Sequence, residues 1–551
     1  MSDPTNAEGS FHQARLKEPP APELIASAYA RELRDAAILY EGMSLSDIAH
    51  VAVLVEAGII PRQAGGELLA ALLHIHPVPP LDFALDPARG DLYTNREAYL
   101  AMLTPAAGWL STGRARREAT TVGYRIAVRA RLLSFAASLE SCFASVLDLA
   151  EAHRATLFPD YTYLQPAQPT TFGHYLLAFA YPMWRDLDRL RAAFARANAS
   201  PAGSGSVNGS RLPIDRARLA ELLGFEAVVA HARDAMWQAD GPIELAALVA
   251  AALVNLDRLA EDLQIFSTAE FDLVELADRH SRTSVIMPQK KNPYALAYVR
   301  GVCGETIGAL AAMAAVGKTP SGQIDNRMFA YGDVPRALDS AIGATRLMAE
   351  VLRGLRVNDE RAAQRAAQDF IGATDLAEVI TQQCHLDFKT AHDVVGRAVR
   401  AALESGAPGL SANLLNAAAG RDLGLSPEAI ADALDPSRIV AARVGPGGAA
   451  ESSVTRMIAE CRAALADHRD WREATLARLA GAEALLLAAA TALKMTASPP
   501  STEPGPDTDP DESRGGAESA DRDAPGSIDE VFDELFKDLP RPPNRRRRFG
   551  L

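Results

Sequence analysis

Cysteine is scarce in this chain. Cys142, Cys303, Cys384 and Cys461 are the only four in 551 residues, and they lie far apart. They show neither disulfide-framework nor metal-ligand spacing, which points to free thiols in a reducing compartment and so to a cytoplasmic protein. Runs of β-branched residues are few, while Ala, Leu and Arg dominate, a balance that favours helix over sheet. Met1 opens a polar segment without the charged-then-apolar pattern of a signal peptide. No uninterrupted run of about 18 apolar residues suggests a membrane span. The formal net charge of −14 speaks against a nucleic-acid partner.

What the chain does have is apolar content, 48% of its residues, enough for a large core. At roughly 100–200 residues per domain the length predicts two to four domains. Between Pro242 and Phe266, Leu245, Leu248, Ala252, Leu256, Leu259, Leu263 and Phe266 recur three or four apart, the seam of a helix packed on other helices. Similar seams run through 120–150, 172–196 and 294–318, and such stripes are buried only by packing together in a bundle. Ser44 to Glu56 reads as a capped amphipathic helix. The expected architecture is all-α. It comprises a disordered start (1–22), an N-terminal helical region (23–118), a central bundle (119–366) and a disordered acidic tail (497–551).

Two stretches carry chemistry on their own terms. Arg282 to Pro293 is a polar loop between two apolar helical patterns, and Asn292 and Pro293 suit the N-cap and first turn of the second. A hydroxyl (Ser284), an ammonium (Lys290) and a helix N-terminus on one loop favour a carboxylate or an anion that develops during reaction. Ser111, Thr112, Arg114, Arg116 and Arg117 gather hydroxyls and positive charge at the start of a long helix, a set suited to a dianionic substrate. The bland alternatives, a solvated capped loop and an exposed basic helix face, stay open on these residues alone.

Ser284-x-x-Met287-x-x-Lys290-x-Asn292 resembles the signature loop of the fumarase/aspartase superfamily, and Met287-Pro-Gln-Lys-Lys-Asn-Pro293 is similar to its argininosuccinate lyase branch. Thr283 stands where that family usually has Gly. Asp91 to Glu97 and Ser111 to Glu118 resemble two further segments of the branch, with Tyr93, Ala115, Arg117 and Glu118 in place of its His, Ser, Asn and Asp. Pro159 to Pro169, a turn-rich loop on its composition, resembles a third, in which Thr162, Gln165 and Gln168 match. There Tyr163 replaces a His assigned to proton transfer. Gln238 and Ala239 likewise replace an Asp-Arg pair, and the match at Gly322 to Arg327 is poor. The Gly/Ser loop 202–210 and segments of 367–490 extend the resemblance over about residues 25–490, and the latter imply the family's small C-terminal helical domain (367–496).

The resemblance implies a homotetramer with active sites shared between subunits. It implies β-elimination of an amine from an N-succinyl group, giving fumarate, with no metal or organic cofactor. Ser284 is then the base and Lys290 the fixed positive charge, with Tyr163 as candidate proton donor. Ser111, Thr112, Arg114, Arg117, Thr162, Gln165 and Asn292 are the substrate contacts. A phenol is a workable acid but a poor base near neutrality, so a non-catalytic scaffold built on the same bundle stays open as the rival. The tail offers a partner surface of its own. Residues 501–540 carry 13 acidic and 3 basic side chains. Within them Ile528, Val531, Phe532, Leu535, Phe536 and Leu539 share one helical face after Ser527, as a docking helix (527–539) for a protein partner would.

Overall fold

The apolar seams become five long helices: Arg116–Ala152, Phe172–Ala197, Asp240–Phe266, Tyr294–Gly317 and Asp325–Arg353. The computed structural model describes residues 18–83, 85–323 and 325–496. The chain divides into two units, Met1–Pro499 and Pro500–Leu551. The second holds the expected docking helix and lies outside the described residues, as do residues 1–17. The fold is all-α, with four short two-stranded pairings among the described residues.

The bundle has a direction. The Arg116–Ala152, Asp240–Phe266 and Asp325–Arg353 helices run one way. Arg125 near the start of the first reaches Gln238 beside the start of the second, and Thr121 meets Tyr331 of the third at 2.8 Å. The other two run back. Gly173 abuts Ala150 at the far end of the first helix, and Gly317 closes against Ile243. Leu256, Leu259, Leu263 and their counterparts fill one large core, which also takes in Cys461 and Leu465 from the final helix, Glu451–Thr496. A second core gathers around Ile48, Leu54, Leu68 and Leu72, and Leu486 and Ala490 of the final helix close it. Leu376 to Ala433 share a third.

Ser44 does not cap a helix. The Ala36–Glu56 helix begins eight residues earlier, and Ser44 is buried inside it with its hydroxyl 3.0 Å from His76 Nδ1. Nor is that helix amphipathic, since residues 42–55 are buried all round. Four helices are long and apolar enough to cross a membrane by length and composition: Ala36–Glu56, Arg116–Ala152, Tyr294–Gly317 and Glu451–Met495. The sequence reading missed them because their apolar windows are interrupted by up to two charged residues. The first is covered by the chain over 89% of its window and the third over 28%, so the Tyr294 helix leaves apolar surface open.

One buried charge cluster ties the N-terminal core to the bundle. Asp47, wholly buried on the Ala36–Glu56 helix, accepts from Arg96 at 3.0 Å and from Arg114 at 2.6 Å. Removing a shared carboxylate leaves two guanidinium groups uncompensated in the core, a loss of about 3–5 kcal/mol. Asp47→Ala is therefore expected to lower the stability read by urea unfolding by about that amount. A loss below about 1 kcal/mol would mean that water or another acid neutralises the pair.

Candidate active site

The signature loop is a small hairpin. Arg282 pairs with Asn292 and Thr283 with Lys291, antiparallel, and residues 284–290 form the tip. Ser284 Oγ accepts from the backbone N–H of Met287 at 3.1 Å and of Ile286 at 3.4 Å. Two N–H donors on one hydroxyl oxygen stabilise its deprotonated form over its neutral one. Lys291 is spent on structure, bound to Glu275 and Asp278 at 2.8 Å each, and these two acids raise its pKa. Lys290 has no ion pair among the described residues and is exposed at the tip beside Ser284. The expected cap is a correction. The following helix starts at Tyr294, no side chain caps it, and Asn292 Nδ2 instead donates to the Arg282 carbonyl at 2.9 Å. Asn292 therefore locks the hairpin, and the helix N-terminus behind it stays open.

The stretch read as a turn-rich loop at 159–169 is also a hairpin, Leu157–Thr162 with Gln165–Thr171. Thr162 faces Gln165 across the turn. Tyr163 and Leu164 fill the two turn positions at φ 55° and 57°, a left-handed pair that normally asks for Asn and Gly. Side chains there cost roughly 1–2 kcal/mol each, and Tyr163 projects fully exposed from the tip. Phe158 and Tyr161 seat the hairpin against Phe266 and Phe271, at the same end of the bundle as the Ser284 loop.

The basic segment lies at the opposite end. Ser111 is exposed and Thr112 half-buried. The backbone here is held by buried His50, whose Nε2–H must donate to the Thr112 carbonyl at 3.0 Å, since a carbonyl only accepts. Burial and Arg114 push the His50 pKa well down, which keeps the ring neutral. Gly113 has φ 70°, and a Cβ there would meet Ile214 at 2.8 Å. Arg114 does not offer itself to a ligand: only 1% of its side chain is exposed and Asp47 takes its guanidinium. Reading it as a substrate contact is corrected, because its partner lies 67 residues away in sequence. Glu118 accepts the N–H groups of Gly203 and Gly205 at 2.6 Å each, which gives the Gly/Ser loop a structural role. Burial pushes the Glu118 carboxyl up to about 7 even so.

Arg117, half-buried, is the member of the basic segment without an ion pair among the described residues, whereas the exposed Arg116 is paired with Asp91. Its guanidinium lies 4.5 Å from the Trp237 ring centroid, and that of Arg327 lies 5.0 Å from the same ring. Sequence reasoning missed this clamp. Trp237 and Arg327 fall in the segments whose resemblance is weakest, and nothing local in 233–240 signals an aromatic platform. A cavity beside it is lined by Glu32, Asp91, Tyr93, Arg116, Arg117 and Arg327, with others. A second, of about 320 Å³, lies behind Tyr331 and is lined by Arg125, Gln238 and Asp240 among others. Among the described residues no group of three or more His, Cys, Asp or Glu is placed to hold a metal ion.

Comparison with known proteins agrees with the geometry. A lyase family model matches residues 36–308, and an argininosuccinate lyase C-terminal model matches residues 370–441. The argininosuccinate lyase of Methanoculleus marisnigri is 36% identical over 458 residues, 81% of this chain and 92% of that protein. That of Methanothermobacter thermautotrophicus is 34% identical over 78% of this chain and 94% of its own length. Among solved structures, an EDDS lyase in complex with formate superposes with a TM-score of 0.77 at 30% identity, covering 87% of this chain and 97% of that one. The 3-carboxy-cis,cis-muconate lactonizing enzyme of Pseudomonas putida shares the fold, with a TM-score of 0.64 at 20% identity, over 80% of this chain and 99% of that one. The chain therefore belongs to the argininosuccinate lyase family of the fumarate lyase superfamily and is a carbon–nitrogen lyase.

Proposed function

We propose that the chain eliminates fumarate from an N-succinyl amine, argininosuccinate or a relative of it, as a cytoplasmic homotetramer whose active sites draw on more than one subunit. The observation that carries the chemistry is the Ser284 hydroxyl under two backbone N–H donors, with Lys290 on the same hairpin tip. In water a serine hydroxyl is far too weak an acid to serve as a base precursor. Fixed donors and a nearby ammonium lower the cost of its alkoxide. Ser284 takes the proton from the carbon beside the succinyl carboxylate. The freed electron pair is first held in that carboxylate as a dianionic aci-carboxylate; it then forms the C=C bond as the C–N bond breaks, and the departing nitrogen takes a proton from Tyr163. The dianionic intermediate is stabilised by Lys290 and by the open N-terminus of the Tyr294 helix.

The shared site follows from the two ends of the bundle. The 37-residue Arg116–Ala152 helix spans about 55 Å at 1.5 Å per residue. It has Arg117 at one end, while the Tyr163 hairpin and the Ser284 loop sit at the other. One copy cannot close these pieces around a small molecule, whereas copies packed in opposite directions can. The open apolar surface of the Tyr294 helix, with Tyr298 and Ile307 each half-exposed, supports burial against another copy. Val285 and Ile286, bare at the tip of the signature loop, support the same packing. Four free cysteines support a reducing, cytoplasmic setting.

Fumarate release from argininosuccinate, followed by ultraviolet absorbance, is the first test, with EDDS and other N-succinyl amines as the panel. Tyr163 in place of the family's His favours the second reading, a scaffold without turnover. Silence across the whole panel would decide for it.

A further inference from the structure

Two guanidinium groups, Arg117 and Arg327, share one indole, and neither forms an ion pair among the described residues. Arg327 is 7% exposed, and its Nε is buried without a hydrogen-bond partner; the Trp237 Nε1–H is buried and unpartnered as well. The other charges lining the cavity are already spent. Arg116 pairs with Asp91 at 3.2 Å, and Asp35 pairs with Arg336. Glu32 is the one acid left over: burial and Asp91 raise its pKa while Arg116 and Arg327 lower it, so it faces Arg327 without forming an ion pair and leaves Arg117 uncompensated. Burial lowers the pKa of Arg117, and the neighbouring Arg327 and Arg116 lower it further. The Arg116–Ala152 and Asp325–Arg353 helices both begin here, and their N-termini add to the same potential. Trp237 ends the short Ala232–Trp237 helix, and Gln238 after it is tied to Asp234 at 3.2 Å and to Arg125. The platform under the two arginines is thereby fixed.

We propose that the amine released by this enzyme is itself acidic: it carries a carboxylate, held by Arg117 and Arg327 over Trp237, and no compensating cation. An amino acid such as glutamate, joined through its amine, fits this chemistry; arginine, joined through its guanidine, does not, because its free end brings an α-ammonium beside the carboxylate and so a cation to the two arginines. This rests on the elimination proposed for the Ser284 loop and specifies its substrate.

The test compares fumarate release by the full-length enzyme from three N-substituted aspartates. One carries glutamate, one arginine (argininosuccinate) and one ethylamine. The glutamate adduct is expected to exceed the other two in kcat/KM by about tenfold or more, as charge-assisted contacts to carboxylate warrant. Trp237→Leu is expected to raise KM for the glutamate adduct about tenfold and that for the ethyl adduct less than about twofold, and Trp237→Phe is expected to restore most of the loss. Inhibition by fumarate should be unchanged in Trp237→Leu. If it weakens as much as KM, the clamp grips the succinyl end and the proposal falls. Equal turnover of all three adducts would remove the clamp from specificity and leave the lyase standing. No fumarate from any adduct, with glutamate still bound by calorimetry, would remove the reaction and leave the clamp as a binding site only.

Discussion

Ser284→Ala is expected to abolish fumarate release, lowering kcat by about three orders of magnitude or more, while the thermal unfolding temperature moves by no more than about a degree. General bases contribute roughly 10²–10⁴ in rate, and no other hydroxyl lies on the tip of this loop. The fold should survive because Ser284 sits on an exposed hairpin. Without Oγ, the Ile286 and Met287 N–H groups are left facing water rather than stranded in a core. Lys290→Ala should follow the same pattern at a smaller scale, whereas Lys291→Ala should act mainly on the loop's anchorage to Glu275 and Asp278. Circular dichroism and calorimetry check the fold, and absorbance checks turnover. Retained activity in Ser284→Ala would take the serine out of the mechanism and return the question to Tyr163.

The bundle was readable because its cause is local: leucine and alanine at helical spacing fix each element before any partner is known. The features that escaped depend on distant residues or on backbone geometry. Pro159 and Pro169 face each other across the 157–171 ribbon. Prolines cannot donate to a ladder, so their presence read as loop rather than strand. The Tyr163-Leu164 turn carries none of the Asn or Gly that usually announces a left-handed pair. Asn292 had the right identity and position for a cap, yet the hairpin offered its amide a carbonyl ten residues back. Arg114 looked like its neighbours Arg116 and Arg117 in sequence. Only the placement of Asp47 separates the buried Arg114 from the other two. In the site, then, residue types were legible and their availability was not.

At substrate concentrations well below KM, mixing two impaired variants should raise activity above that of either parent, which a site confined to one chain forbids. One parent carries Ser284→Ala and the other Arg117→Ala, so the lesions lie at opposite ends of the Arg116–Ala152 helix. Each parent alone forms only defective sites. In a tetramer assembled at random from equal amounts, a site drawing its Ser284 loop from one copy and its Arg117 segment from another is intact when both draws are favourable. That leaves about a quarter of the sites whole. Co-refolding the two variants, or expressing them together, is expected to yield roughly that share of wild-type fumarate release, with the remainder impaired. Activity no higher in the mixture than in the parents, while sizing shows that mixed oligomers have formed, would mean that both segments act within one chain. The length of the Arg116–Ala152 helix would then have to be bridged by a rearrangement of the bundle itself.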